Sequence, residues 1–237
     1  MGRRNKEALY DQSLEVRQSF DRLVAEGPMP KLFAFDLDYT LWPAWVDTHV
    51  DPPLRRASGD AINKVVDSNG QPLSFYPHVP SLLLSLARTS IPIAAASRTS
   101  APTAAKQALS GLFLKDTDPA PADEPPHSPR RSVEDRTRIV KAISLFDYME
   151  IYPGSKITHF NRIHKDSRVP YEDMIFFDDE RRNSEVERKL GVHFVEISNS
   201  GLDLETFENG VRRWRAKRAV EQSGEEDLAD SPPRGQL

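Results

Sequence analysis

The chain has 237 residues, 38% hydrophobic and 29% charged, which supplies one core of ordinary size or two small domains. A net charge of −4 and a pI near 5.9 argue against a broad nucleic-acid footprint and leave room only for a local basic patch. There is no cysteine, which excludes disulfide frameworks and thiolate metal sites. No apolar run approaches the length of a membrane span. The opening MGRRNKEALY lacks the apolar stretch of a secretory signal, and Lys6 stands where a myristoylation motif wants Ser or Thr. A monomer working inside the cell, in the cytoplasm, with neither membrane nor nucleic acid as partner, is the expectation.

Residues 1–30 read as an N-terminal extension. Leu9, Leu14, Phe20, Leu23 and Val24 recur among charges between Glu7 and Glu26, as on an amphipathic helix, and Gly27, Pro28 and Pro30 end it. Whether that helix docks or hangs loose is open. Lys31 to Phe35 is a short apolar run that reads as a buried strand. An irregular stretch from Pro43 to Gly59 follows. Lys64–Val66 and Leu73–Phe75 then flank Asn69-Gly70, which predicts a β-hairpin inside an insert at about 47–75. Pro80 to Arg88 predicts a helix with proline in its first turn, Ile91 to Ala96 a strand, and Ala101 to Leu109 a helix. Asp116 to Arg131 holds five prolines and no large apolar side chain, so a disordered insertion is expected there.

Beyond it the reading is helix Val133–Ser144, strand Met149–Tyr152, helix Lys156–Lys165, strand Met174–Phe177, helix Glu185–Leu190, strand His193–Ile197 and helix Leu204–Ala219. The polar remainder, 220–237, reads as an unfolded acidic tail. Apolar strands alternating with helices predict an α/β fold, a parallel sheet covered on both faces, with the hairpin as the β element outside it.

Open sheets of this kind bind ligands beyond the carboxyl ends of their strands. Four polar clusters follow four such ends: Asp36 and Asp38, then Ser97 and Arg98, then Lys156, then Asp178 and Asp179. Residues i and i+2 of an extended chain point the same way, so Asp36 and Asp38 address one small site. One carboxylate to attack phosphorus and one to handle the leaving-group proton is what phosphoryl transfer through an aspartyl-phosphate requires. Asp36 with Asp178 or Asp179 offers hard oxygen ligands suited to Mg²⁺. Ser97 and nearby amides are candidate donors to phosphate, and Lys156 adds a fixed positive charge. Each cluster also has a plain structural reading: Asp178-Asp179 or Ser97 as helix caps, Arg98 as a structural ion pair, Lys156 as a solvated lysine. Trp42 and Trp45 flank the first loop, where they either pack under the hairpin or grip a flat substrate. The basic run Arg212–Arg218 reads as a complement to the dipole of the last helix.

The strings DLDYTLWPAWVDTHVDPP, PIAAASRTS, EIYPGSKITHF and FFDDERRN resemble the four motifs of the haloacid dehalogenase superfamily, and within it the magnesium-dependent phosphatase group. The likeness runs from about Pro30 to Leu204. It implies a Rossmann-like core with a minimal hairpin cap, spanning 31–219. It further implies Asp36 as nucleophile and metal ligand, Asp38 as acid/base and ligand through its backbone carbonyl, and Asp179 as third ligand with Asp178 in support. Substrate contacts implied are the Leu37 backbone, Trp45, Ser97, Arg98 and Lys156. The implied activity is hydrolysis of phosphate monoesters with Mg²⁺, on protein phosphotyrosine or on sugar phosphates including glycated ones. A catalytically silent module that only binds a phospho-ligand is the reading from another class.

Overall fold

The computed structural model describes residues 2–117 and 137–229. In chain order these form α1 (Gly2–Ala25), β1 (Leu32–Phe35), β2 (Arg55–Arg56), β3 (Val65–Val66), β4 (Pro72–Leu73), α2 (Val79–Ala87), β5 (Ile93–Ser97) and α3 (Pro102–Gly111). They continue with β6 (Phe113–Thr117), β7 (Thr137–Lys141), β8 (Tyr148–Ile151), α4 (Lys156–Ser167), β9 (Met174–Asp178), α5 (Glu185–Leu190), β10 (His193–Glu196) and α6 (Leu204–Ala229).

Five strands make one parallel sheet in the order β10-β9-β1-β5-β8. The chain leaves β1 toward β5 and β8, then returns to β9 and β10 on the other side. The crevice where that order reverses therefore lies at the carboxyl end of β1. Strand alternation sorts the core into two layers. Phe33, Phe35, Ile93, Ala95, Ile175 and Phe177 face α1, α2, α3 and α6. Leu32, Ala34, Ala94, Ala96, Met174 and Phe176 face α4 and α5. Burial on both faces is why the inner strands β1, β5 and β9 read as apolar runs.

Helix α1 docks. Val16, Phe20 and Leu23 are buried, and the Phe20 ring lies 6.0 Å from that of Phe207. The basic run sits mid-helix in α6, which continues to Ala229, so it does not complement the dipole at a helix end. Instead Arg215 donates to the carbonyls of Leu23 (2.6 Å), Gly27 (3.0 Å) and Pro28 (2.6 Å), where α1 runs out of its own donors.

Several sequence expectations need correction. The hairpin β3–β4 carries a third antiparallel strand, β2, in the stretch expected to be irregular. Within the helix expected at Val133–Ser144, residues 137–141 form β7, paired antiparallel with β6, and a 3₁₀ turn occupies Ala142–Leu145. The reason is tertiary: TRIVK is β-branched and finds FLKDT as a ladder partner. Asp116, expected to begin a disordered insertion, is buried in β6 and pairs with Arg17, Arg88 and Arg138. The rest of that insertion, from 118 on, lies outside the described residues. The tail expected from 220 is helical to Ala229, and 230–237 also lie outside. Among the described residues no helix is long and apolar enough to cross a membrane.

Candidate active site

The first loop turns sharply after Asp36. The amides of Thr40, Leu41 and Trp42 converge on the Leu37 carbonyl (3.3, 2.8 and 3.4 Å), and Tyr39 takes a left-handed φ of 53° to allow it. The Leu37 side chain is buried in the core, so only its backbone faces the loop. Asp36 continues the β1 ladder, its amide donating to Phe177 O at 2.9 Å, which seats its carboxylate beside the end of β9.

Lys156 opens α4, whose N-cap is Ser155 accepting from the Ile157 amide at 3.1 Å. A lysine there opposes the helix dipole, so α4 does not choose it for its own stability. Its ammonium turns inward and is 1% exposed. It donates to Asp36 Oδ1 at 2.5 Å, contacts Asp178 Oδ2 at 2.9 Å and bonds the Ala96 carbonyl. The solvated-lysine reading is excluded by that burial.

Asp178 is fully buried and doubly held. Its Oδ1 accepts from the Glu180 amide (2.7 Å), and both its oxygens accept from Asn183 Nδ2 (2.9 Å each). It caps no α-helix, since α5 takes Ser184 as its N-cap. The same Asn183 accepts from Arg98 Nη1 through Oδ1 at 3.2 Å, tying the ends of β5 and β9 together. Ser97 is buried, its Oγ accepting from the Thr99 amide at 3.3 Å, while the N-cap of α3 is Ala101. Asp179 is half-buried beside Asp178.

Asp38 is buried, and its Oδ1 accepts from Trp42 Nε1 (2.7 Å) and the Val46 amide (3.3 Å). Trp42 is wholly buried and stacks on Phe75, whereas Trp45 is 48% exposed and stacks on His49 with Tyr39 edge-on. Packing therefore describes Trp42, and of the two only Trp45 is open to a substrate.

Burial pushes the Asp36 carboxyl well above its ordinary range, against the pull of Lys156. Burial also raises Asp38 to about 7, with the Trp42 and Val46 donors holding it down. Burial and the Asp178 charge lift Asp179 to about 6. Lys156 goes the other way: burial pulls it down, but Asp178 and Asp36 more than reverse that and keep it protonated. Three carboxyl groups raised by desolvation at one strand edge are the electrostatic signature of a place that would take up a cation, and all are hard oxygen donors. Among the described residues no three His, Asp or Glu side chains form a ligating cluster. The implied set is smaller, two side-chain carboxylates and the Asp38 carbonyl, so that count does not conflict with it. A surface cavity of about 510 Å³, lined by Leu54, Arg56, Lys106, Gln107 and Phe113, includes none of these carboxylates.

Residues 28–217 match the acid phosphatase family. The chain belongs to that family. It is 40% identical over 189 residues to magnesium-dependent phosphatase 1 of Homo sapiens, covering 78% of this chain and 88% of that protein. It is also 40% identical over 186 residues to an HAD-like hydrolase superfamily protein of Schizosaccharomyces pombe, covering 78% of this chain and 96% of that one. A solved structure of the N-terminal part of a Bacteroides fragilis protein, containing a phosphatase domain complexed with Mg, overlays with a TM-score of 0.42 at 15% identity. That overlay covers 74% of this chain and 38% of the other.

Sequence reasoning gave no role to Asn183 or to the indole N–H of Trp42. Asn183 stands inside the quoted FFDDERRN string. Trp42 lies four residues after Asp38 in a turn, a spacing that carries no periodic signal.

Proposed function

We propose that the chain is a Mg²⁺-dependent phosphatase that hydrolyses phosphate monoesters through an aspartyl-phosphate on Asp36. The observation that carries this reading is the 2.5 Å contact between Lys156 and Asp36, 120 residues apart, with Asp38 two residues on. Asp36 attacks phosphorus and the ester P–O bond breaks. Asp38 gives the leaving oxygen its proton, then takes one from the water that attacks the aspartyl-phosphate, releasing phosphate and restoring Asp36. Asp36, the Asp38 carbonyl and Asp179 would hold the Mg²⁺. When bound, the ion offsets repulsion between the carboxylates and the incoming dianion and stabilises equatorial oxygens. Lys156 and Arg98 add positive charge, and Ser97 and the Leu37 backbone line the phosphate end of the site.

For substrate we propose an aryl phosphate such as protein phosphotyrosine. The exposed Trp45 face, braced by His49 and Tyr39 beside the acid, supports an aromatic group over a sugar. The test is phosphate release across phosphotyrosine peptides, phosphoserine peptides and sugar phosphates, with Mg²⁺ and with chelator. Asp36→Asn should abolish turnover in a protein that still folds. Near-normal activity in that variant would refute the mechanism, and a preference for sugar phosphates would refute the substrate class.

A further inference from the structure

We propose that Trp42 is a positioning residue that decides which oxygen of Asp38 carries the catalytic proton. The inference rests on the reading of Asp38 as the group that moves that proton. An indole N–H donates and never accepts. Its 2.7 Å bond to Oδ1, joined by the Val46 amide on the same atom, keeps Oδ1 an acceptor in both protonation states. The proton is thereby assigned to Oδ2, which no hydrogen bond engages among the described residues. A carboxyl without that bias distributes its proton over two oxygens, and only one of them can face the ester.

Trp42 is itself fixed. It is wholly buried, and its ring stacks on Phe75 at 5.8 Å and 16°. Phe75 follows β4 and is held at both backbone groups by Asn63, whose Oδ1 accepts from Phe75 N (3.0 Å) and whose Nδ2 donates to Phe75 O (3.3 Å). Asn63 N in turn donates to Phe113 O at 2.7 Å, and Tyr76 N donates to Leu41 O at 2.9 Å. The small antiparallel insert thus sets the ring that sets the acid. In the first step the P–O ester bond breaks as Asp36 bonds phosphorus, and the proton on Oδ2 goes to the departing aryloxide or alkoxide oxygen. In the second, water bonds phosphorus, its proton returns to Oδ2, and the bond to Asp36 breaks.

The experiment measures kcat and kcat/KM on esters of falling leaving-group acidity: 2,4-dinitrophenyl, p-nitrophenyl, phenyl and alkyl phosphates. The proteins are wild type, Trp42→Phe, and a chain with β-(3-benzothienyl)alanine at position 42, where sulfur replaces N–H at nearly constant shape. Each is also made in an Asp38→Ala background. Without the N–H, turnover on the alkyl ester should fall about tenfold or more, while the dinitrophenyl ester, whose leaving group needs no proton, should lose less than about twofold in the phosphorylation step. In the Asp38→Ala background that selective loss should vanish. An equal loss of kcat/KM on every ester, or a loss that persists undiminished without Asp38, overturns the assignment and makes Trp42 a packing residue. Absence of phosphate release from wild type would instead sink the phosphatase reading itself.

Discussion

Replacing Lys156 with methionine tests how the site balances charge. The substitution keeps a long apolar stem and removes one ammonium from between two carboxylates. Contacts at 2.5 and 2.9 Å are each worth roughly 6 kcal/mol at an effective dielectric near 20. Against them stands the desolvation of three buried ions, several kcal/mol each, so the intact cluster contributes little net stability. Breaking it is different, because Asp36 and Asp178 are left buried as like charges and the Ala96 carbonyl loses its donor. The expected loss is about 3–5 kcal/mol in urea denaturation without divalent cation. Added Mg²⁺ should recover part of it, since an ion that binds only the folded state stabilises that state. Asp36, Asp38, Asp178 and Asp179 no longer face any ammonium, so Mg²⁺ affinity by calorimetric titration should not weaken even as phosphate release falls at least a hundredfold. A loss under about 1 kcal/mol, or Mg²⁺ binding that disappears with the lysine, would refute the charge argument.

Two further outcomes follow from local geometry. Gly201 has φ +78°, and a Cβ there would stand 2.1 Å from the Tyr76 ring. Gly201→Ala should therefore cost about 2–4 kcal/mol, combining left-handed strain with overpacking, and lower the melting temperature by roughly 5–10 °C in scanning calorimetry. His159 is fully buried, its Nε2 3.0 Å from the Tyr152 carbonyl, and burial with the nearby Lys156 charge depresses its pKa to about 4. The unfolded chain binds that proton near 6.5, so His159 costs nothing above pH 6.5 and destabilises progressively as pH falls to 4, by about 2–3 kcal/mol in all. Denaturation from pH 7 to 4 should show His159→Gln losing less stability than wild type over that window; parallel curves would contradict the assignment.

Much of the sheet was legible because its three inner strands, β1, β5 and β9, are buried on both faces and so read as apolar runs. The polar residues ending those runs, Asp36, Ser97 and Asp178, were visible as interruptions in the same pattern. Elsewhere local pattern failed where a distant partner decides. TRIVK became β7 only because FLKDT lies opposite, and nothing within either string announces that pairing. The burial of Lys156 was equally invisible, for a lysine after Pro-Gly-Ser is ordinary surface chemistry until two carboxylates from other strands close over it. Glu221–Ala229 read as tail through low hydrophobicity, yet Glu, Gln, Leu and Ala are sound helix formers and α6 simply continues.

Arginines add polar ties to the apolar packing that docks the elements outside the sheet. Arg215 of α6 reaches three carbonyls at the end of α1, and Arg212 of α6 pairs with Glu26 just beyond it. Arg17 of α1 donates to the Thr117 carbonyl at 2.6 Å and stands 3.8 Å from Asp116, which Arg88 after α2 and Arg138 of β7 also engage. A planar guanidinium with several donors suits this work, because one side chain satisfies multiple acceptors across elements that share no ladder. Asp116 is the exception that explains the pattern. It is 1% exposed, and a carboxylate so buried demands paired cations, so the three arginines and the chain segments that carry them are committed to one place. None of these contacts involves Asp36, Asp38, Lys156, Asp178 or Asp179. The fold can therefore carry α1, the β6–β7 ribbon and the long α6 while the charge balance at the strand ends is set by the five residues there and by Asn183, Trp42 and Arg98 around them.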